Sequence, residues 1–513
     1  MGKTAKLTVH KTFQIGEISE LLYGQYFEPL GRCLYEGMYD PKHPTAQKDG
    51  FREDIRDLAR EMGITCYRYP GGNMSSSYRW EDGVGPRERR PVRMELAWRS
   101  IEDNVLGTDE CASWVESVGA QSIMTVNMGT RGIEAACDLL EYCNREGGTA
   151  LSEYRKENGQ EKPYGIQYWC IGNELDGPWQ IGQKRASDYA WQCREVAKAM
   201  KRIDPNLKMI AAGSSSMTMD TYPEWDREVL ETGYEFLDGI SIHAYLNRKD
   251  SFTTSHYLSQ INALEEYLKT IEAACQLAKA KNRSSRDLFL SIDEWNVQRY
   301  EMVVEKDDYH PNWDVHPPVL EQNYTMEDAL LLGLELMTFI KHCNSVKIAC
   351  MSLLVNALAP IKTRTGGEAW RQTTFYPFAH CAHYARGTLL DMRIECDTCQ
   401  DEEFGTVALV DAIMTMDGED AAIFVVNKAE KESVQCLAFL DGFEDYEIVE
   451  ELEMTHENLF AVNTEEDPDC VVPQKVKKAD FQNGMLCTEL RPFSWNVIRL
   501  KRKLMFKKLE GEV

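Results

Sequence analysis

The feature that most constrains this chain is a rhythm. Short apolar, β-branched runs alternate eight times with longer stretches of helical period. The runs are Leu22 to Phe27, Thr65 to Tyr69, Ser122 to Val126, Ile166 to Ile171, Lys208 to Ala212, Gly239 to His243, Leu288 to Asp293 and Val346 to Leu353. Each leads into polar or glycine-rich sequence and then into a helical pattern, as at Lys184 to Ile203 and Tyr257 to Lys281. Eight strand-then-helix units predict an α/β fold, a (β/α)8 TIM barrel, over residues 14–375.

After about Phe375 the rhythm becomes strand-like throughout, as at Thr406 to Met416, Asp420 to Asn427, Val434 to Leu440 and Ser494 to Leu500. This predicts a C-terminal all-β sandwich of jelly-roll type over residues 376–500. The alternation Leu7 to Phe13 places an N-terminal strand, residues 1–13, in the same sheet. Residues 501–513 read as a charged tail.

The residues that close the apolar runs are the unusual ones: Glu28, Pro70-Gly-Gly-Asn73, Asn127, Gly172-Asn-Glu174, Gly213-Ser-Ser, His243-Ala-Tyr245, Asp293-Glu-Trp-Asn296 and Asn356. A barrel gathers the C-terminal ends of its strands at one mouth, so these groups predict a single active site. Two long connections, Asn73 to Leu106 and Val297 to Tyr324, are placed to shape access to it.

A net charge of -26 repels phosphate backbones and anionic lipid, which argues against nucleic acid and membrane as partners. A neutral ligand such as a sugar meets no long-range penalty. No run of 18 apolar residues occurs, and Met1 to His10 has no apolar segment behind its lysines, so the cytoplasm is the expected compartment. The 16 cysteines are scattered, as suits reduced core thiols. The one CxxC, Cys396 to Cys399, lacks a second pair, and neither a metal nor an organic cofactor is expected.

Glu174 and Glu294 each end an apolar run and are 120 residues apart. At roughly 44 residues per barrel unit this fits three units, putting them on strands four and seven. Two carboxylates across a small barrel can flank one glycosidic bond, about 5–5.5 Å apart in a retaining enzyme and about 6.5–9.5 Å apart in an inverting one. Spacing alone leaves a structural alternative open, in which Glu174 caps the next helix and Glu294 pairs with an arginine such as Arg68.

Longer motifs carry more information. Tyr69-Pro-Gly-Gly-Asn73, Tyr78-Arg-Trp-Glu-Asp-Gly-Val-Gly-Pro86, Asn127-Met-Gly-Thr-Arg-Gly132, the run from Trp169 through Gly172-Asn-Glu174 to Gly182, Asp293-Glu-Trp-Asn296, Leu354 to Ile361 and Ser494 to Leu500 stand in this order. Together they resemble the α-L-arabinofuranosidases of glycoside hydrolase family fifty-one, nearly end to end. The resemblance implies a clan A retaining barrel with a β-sandwich, often assembled as a hexamer, that removes terminal α-L-arabinofuranosyl residues from arabinose-containing oligosaccharides.

It further implies Glu174 as general acid/base and Glu294 as nucleophile. Glu28, Asn73 and Asn173 match groups that hold the sugar, His243 and Tyr245 match the pair beside the nucleophile, and Trp98 and Trp179 are expected walls or platforms. Arg68 and Tyr245 are expected to orient Glu294 and keep it ionised, with Glu174 holding its proton to higher pH. The sequence departs from the family pattern at Leu353, where many members have a sugar-binding Gln, at Ala244, and at Gln298-Arg299. These departures leave two alternatives open: a related retaining glycosidase acting on β-1,4-glucan or xyloside, and a barrel that binds sugar without turnover.

Overall fold

The computed structural model describes residues 3–299 and 313–503. Eight parallel strands close into a barrel in chain order: Gly24–Tyr26, Cys66–Tyr69, Gln121–Val126, Tyr168–Ile171, Lys208–Ala212, Gly239–Arg248, Phe289–Arg299 and Val346–Ser352. The last pairs with the first, Cys350 opposite Gly24 and Ser352 opposite Tyr26. All eight expected runs are present, and the sixth and seventh continue several residues past their expected ends.

The helices cover the barrel for reasons visible in their sequences. In Glu53–Met62 the buried Ile55, Leu58, Ala59 and Met62 recur at helical spacing, and Gly63, at φ 75°, ends the helix by donating its N–H to the Ala59 and Arg60 carbonyls. Met326–Lys341 begins at Thr325, which exchanges side-chain hydrogen bonds with Asp328, and it is buried from Met326 to Ile340. A helix apolar all round must be covered all round. Here the barrel covers one side and the second sheet the other.

That second sheet is a single hydrogen-bonded ribbon of ten strands. Strand Lys3–Glu17 lies near its middle, antiparallel to Thr388–Cys396 and parallel to Val434–Asp441. Its pairing breaks between Val9 and Gln14 and again between Gln14 and Gly16, bulges that let a ribbon turn a corner. The ribbon encloses its own core, which takes Leu7 and Val9, Ile423 and Val425, Cys436 and Ala438, and Ile498 and Leu500 from distant strands. The expected sandwich is thus built from one continuous ribbon folded over. The alternate residues Phe424, Val426, Trp495 and Val497 face the other way and join the barrel's core. Between barrel and ribbon the chain forms the helix Phe375–Tyr384, which packs on Glu53–Met62 and Met326–Lys341.

The seam gives a stability prediction. A Cβ on Gly333 would come within 2.6 Å of the Trp495 ring, and that ring is pinned by Nε1 donating to His380 Nδ1 at 3.0 Å. Alanine in a helix gains up to about 1 kcal/mol over glycine, but overpacking a closed core costs about 1–3 kcal/mol. Gly333→Ala is expected to lower the denaturant midpoint; an unchanged or raised midpoint would show that the seam can give way.

Candidate active site

The strand ends bring the expected residues together at one mouth. Glu294 is not reached by simple alternation. Ser291 pairs with Ser241 and Glu294 with His243, so the seventh strand carries an extra residue, and the shift recurs against the eighth strand between Ile292 and Trp295. This bulge turns two consecutive carboxylates, Asp293 and Glu294, into the barrel, where strict alternation would admit one. Glu174 lies just past the fourth strand in the left-handed region, at φ 47°. Its side chain does not cap a helix; the next one, Ala186–Ile203, starts beyond Arg185.

An oxygen of Glu174, an oxygen of Glu294 and a nitrogen of His243 all lie within 4.8 Å of one another, and all three side chains are buried. Glu294 is held from two sides: Arg68 Nη1 donates to Oε1 and the Tyr245 hydroxyl to Oε2, both at 2.9 Å. Tyr245 is fixed in turn by Ser352 Oγ at 2.6 Å. Arg68 therefore pairs with Glu294, as the structural alternative supposed, and that pairing leaves the carboxylate at the mouth. Glu174 meets His243 Nδ1 at 2.8 Å through Oε1 and accepts from Trp179 Nε1 at 2.6 Å through Oε2. The Trp179 ring is 47 % exposed, so one face remains open at the rim.

Asp293 connects these parts, although the sequence marked it only as the neighbour of Glu294. Its Oδ1 faces His243 Nε2 at 3.1 Å, while Oδ2 accepts from Cys170 Sγ at 3.2 Å and forms an ion pair with Arg68 Nε at 3.2 Å. Burial alone would lower the His243 pKa, but the surrounding Glu294, Asp293 and Glu174 carboxylates outweigh it and raise it to about 10. Burial pushes the Glu294 carboxyl up; the His243 and Arg68 charges oppose that, Glu174 adds to it, and the net direction is upward. Burial pushes Asp293 the same way, but there Arg68 and His243 win and hold it below the usual range.

The remaining residues build the wall opposite. Arg68 Nη2 donates to Asn173 Oδ1 at 2.7 Å, and Asn173 Nδ2 to Asn73 Oδ1 at 3.2 Å. Glu28 accepts from Trp98 Nε1 at 2.7 Å and from the Gly72 N–H at 2.8 Å. Burial, then the charges of Glu294 and Glu95, raises Glu28 to about 8. Gly72 has no room for a side chain, because a Cβ there would come within 2.7 Å of Glu294 Oε1. Trp98 is buried, its backbone N–H bound to Glu95 Oε2 at 2.6 Å. Glu95 had no signature in the sequence; it sits in a hairpin, Arg93–Glu95 with Ser100–Glu102, inside the first long connection.

The second long connection meets that hairpin where the Ile101 N–H donates to the Asp314 carbonyl at 3.0 Å. Tyr300 to Asn312 of this connection lie outside the described residues, as does the tail beyond Lys503. Leu353, where a sugar-binding Gln was the family pattern, is fully buried among apolar side chains, and its neighbour Ser352 faces the site instead. Ala244 is likewise buried, and Gln298 donates to Asn247 Oδ1 at 3.2 Å.

Comparison with known proteins shows the family. Residues 58–263 match the α-L-arabinofuranosidase 1 domain and residues 293–494 the α-L-arabinofuranosidase C-terminal domain. The chain is 44 % identical to an intracellular exo-α-(1→5)-L-arabinofuranosidase of Acetivibrio thermocellus, over 97 % of this chain and 99 % of the relative. It is 41 % identical to an exo-α-(1→6)-L-arabinofuranosidase of Bifidobacterium longum, over 97 % of each. A solved family 51 α-L-arabinofuranosidase from Bifidobacterium longum superposes with a TM-score of 0.93 at 37 % identity, covering 97 % of this chain and all of that one. This chain therefore belongs to the family 51 α-L-arabinofuranosidases, glycoside hydrolases that join a parallel barrel to a C-terminal sheet domain.

Proposed function

We propose that the protein is a retaining, exo-acting α-L-arabinofuranosidase that removes terminal non-reducing α-L-arabinofuranosyl residues from arabinose-containing oligosaccharides by double displacement. The observation that carries the retaining assignment is the approach of Glu174 and Glu294 to within 4.8 Å. That is close to the roughly 5–5.5 Å of retaining pairs and short of the roughly 6.5–9.5 Å that seats a water for inversion.

In this reading Glu294, aimed by Arg68 and Tyr245, attacks the anomeric carbon, while Glu174 gives its proton to the departing oxygen. The covalent glycosyl-enzyme is then opened by a water that Glu174, now a base, deprotonates. Asn173, Asn73 and Glu28 bind the furanose hydroxyls, Trp98 closes the wall behind them, and the exposed face of Trp179 receives the leaving sugar. His243, bridging the two glutamates, keeps them from repelling one another. Relatives of similar identity bear names with different linkages, so linkage is left open. The intracellular naming of relatives supports a cytoplasmic enzyme fed by short oligosaccharides. Homo-oligomerisation, hexameric by family resemblance, belongs to the same reading.

The test is hydrolysis of aryl α-L-arabinofuranoside, β-D-xyloside and β-D-glucoside side by side, with the first-formed anomer read by NMR. Selective furanoside cleavage with the α-anomer appearing first is expected. Preference for either other glycoside would overturn the substrate, and an initial β-anomer would overturn retention.

A further inference from the structure

The three side chains at the centre of the mouth also have the makings of a metal site. His243 Nδ1 is 2.8 Å from Glu174 Oε1 and 3.6 Å from Glu294 Oε2, and the third edge is no longer than 4.8 Å. Ligands about 2.0–2.1 Å from a tetrahedral zinc sit roughly 3.3 Å apart. The two measured edges bracket that spacing, and the third shortens when a metal draws the two carboxylates together. One imidazole and two carboxylates form a ligand set suited to zinc, with the fourth position left for water.

The far side of the imidazole is already arranged as in metal centres. Nε2 faces Asp293 Oδ1 at 3.1 Å, and Asp293 is anchored by Arg68 and Cys170. A carboxylate on the remote nitrogen fixes the ring and leaves Nδ1 for the metal.

We propose that Glu174, His243 and Glu294 form an inhibitory zinc site in which the metal ties up both carboxylates. The inhibition, though not the site, rests on these glutamates being the catalytic pair.

The test has two arms. In the binding arm, a chelating dye counts tight zinc in wild type, His243→Ala, Glu174→Gln and a Cys396→Ser control, and X-ray absorption reads the ligands. Wild type and control are expected to hold one equivalent more than His243→Ala, that zinc having nitrogen and oxygen neighbours only, and Glu174→Gln to bind it at least about 10-fold more weakly. In the kinetic arm, zinc about tenfold above its dissociation constant is expected to raise the apparent KM about tenfold with kcat unchanged, reversed by EDTA. Equal stoichiometry in wild type and His243→Ala, sulfur ligation of the extra zinc, or a fall in kcat at constant KM would overturn the proposal. If no furanoside is turned over at all, the functional reading falls and the binding arm still decides the site.

Discussion

Glu294→Ala is expected to reduce turnover of an activated aryl α-L-arabinofuranoside on the order of 10⁴- to 10⁶-fold, the scale on which enzymes lose activity when a nucleophile is removed. Three neighbours act on the position of this carboxylate: Arg68 on one oxygen, Tyr245 on the other, and Gly72 clearing space beside it. Alanine removes the attacking atom and leaves Arg68 still paired with Asp293. The fold is therefore expected to survive, with a thermal midpoint close to wild type. Azide admitted to the vacated space attacks directly and gives the inverted β-furanosyl azide. Residual activity within tenfold of wild type would remove Glu294 from the nucleophile's role.

Glu174→Ala is expected to behave differently with different leaving groups. A general acid contributes about 10²- to 10⁴-fold. The full loss should appear on arabino-oligosaccharides, whose departing oxygen needs the proton, and a smaller one on a nitrophenyl furanoside, whose leaving group departs unaided. The glycosyl-enzyme then accumulates, because the base for the second step is also missing. Azide, which needs no deprotonation, should restore rate and give the retained α-furanosyl azide. The opposite anomers from the two variants separate the two roles; the same anomer from both would refute the assignment. Trp179 loses its partner in this variant, so its fluorescence gives an independent check that the side chain has gone from the site.

Much of this was legible in the chain because apolar runs and the polar residues that end them follow from burial alone. The eight strands, the placement of Glu174 and Glu294, and the contacts of Arg68 and Tyr245 with Glu294 follow from pattern and motif. What stayed hidden depends on departures from periodicity. No pattern announces the bulge that turns Asp293 inward beside Glu294, because a single extra residue leaves composition unchanged. Glu95 is one of many loop acids until the hairpin brings it to the Trp98 backbone. The ribbon-like continuity of the second sheet rests on corner bulges in the first strand, which alternation read only as far as Phe13. At Leu353 the motif flagged a missing sugar contact, and only packing shows the side chain withdrawn into the core with Ser352 taking the place at the mouth.

The strand at Lys3–Glu17 has a consequence for how the protein is made. Ala5 pairs with Cys396, and Lys3 to His10 pair with Val434 to Asp441. On a ribosome adding roughly 5–20 residues per second, this strand emerges on the order of 20–80 s before its neighbours exist. Throughout that interval Leu7 and Val9 have no sheet to enter, and the apolar helix Met326–Lys341, once made, waits for its outer cover. Synthesis of this enzyme therefore holds its beginning in reserve for its end. In a cell, the unpaired first strand and the half-covered helix are the surfaces a chaperone would have to shield.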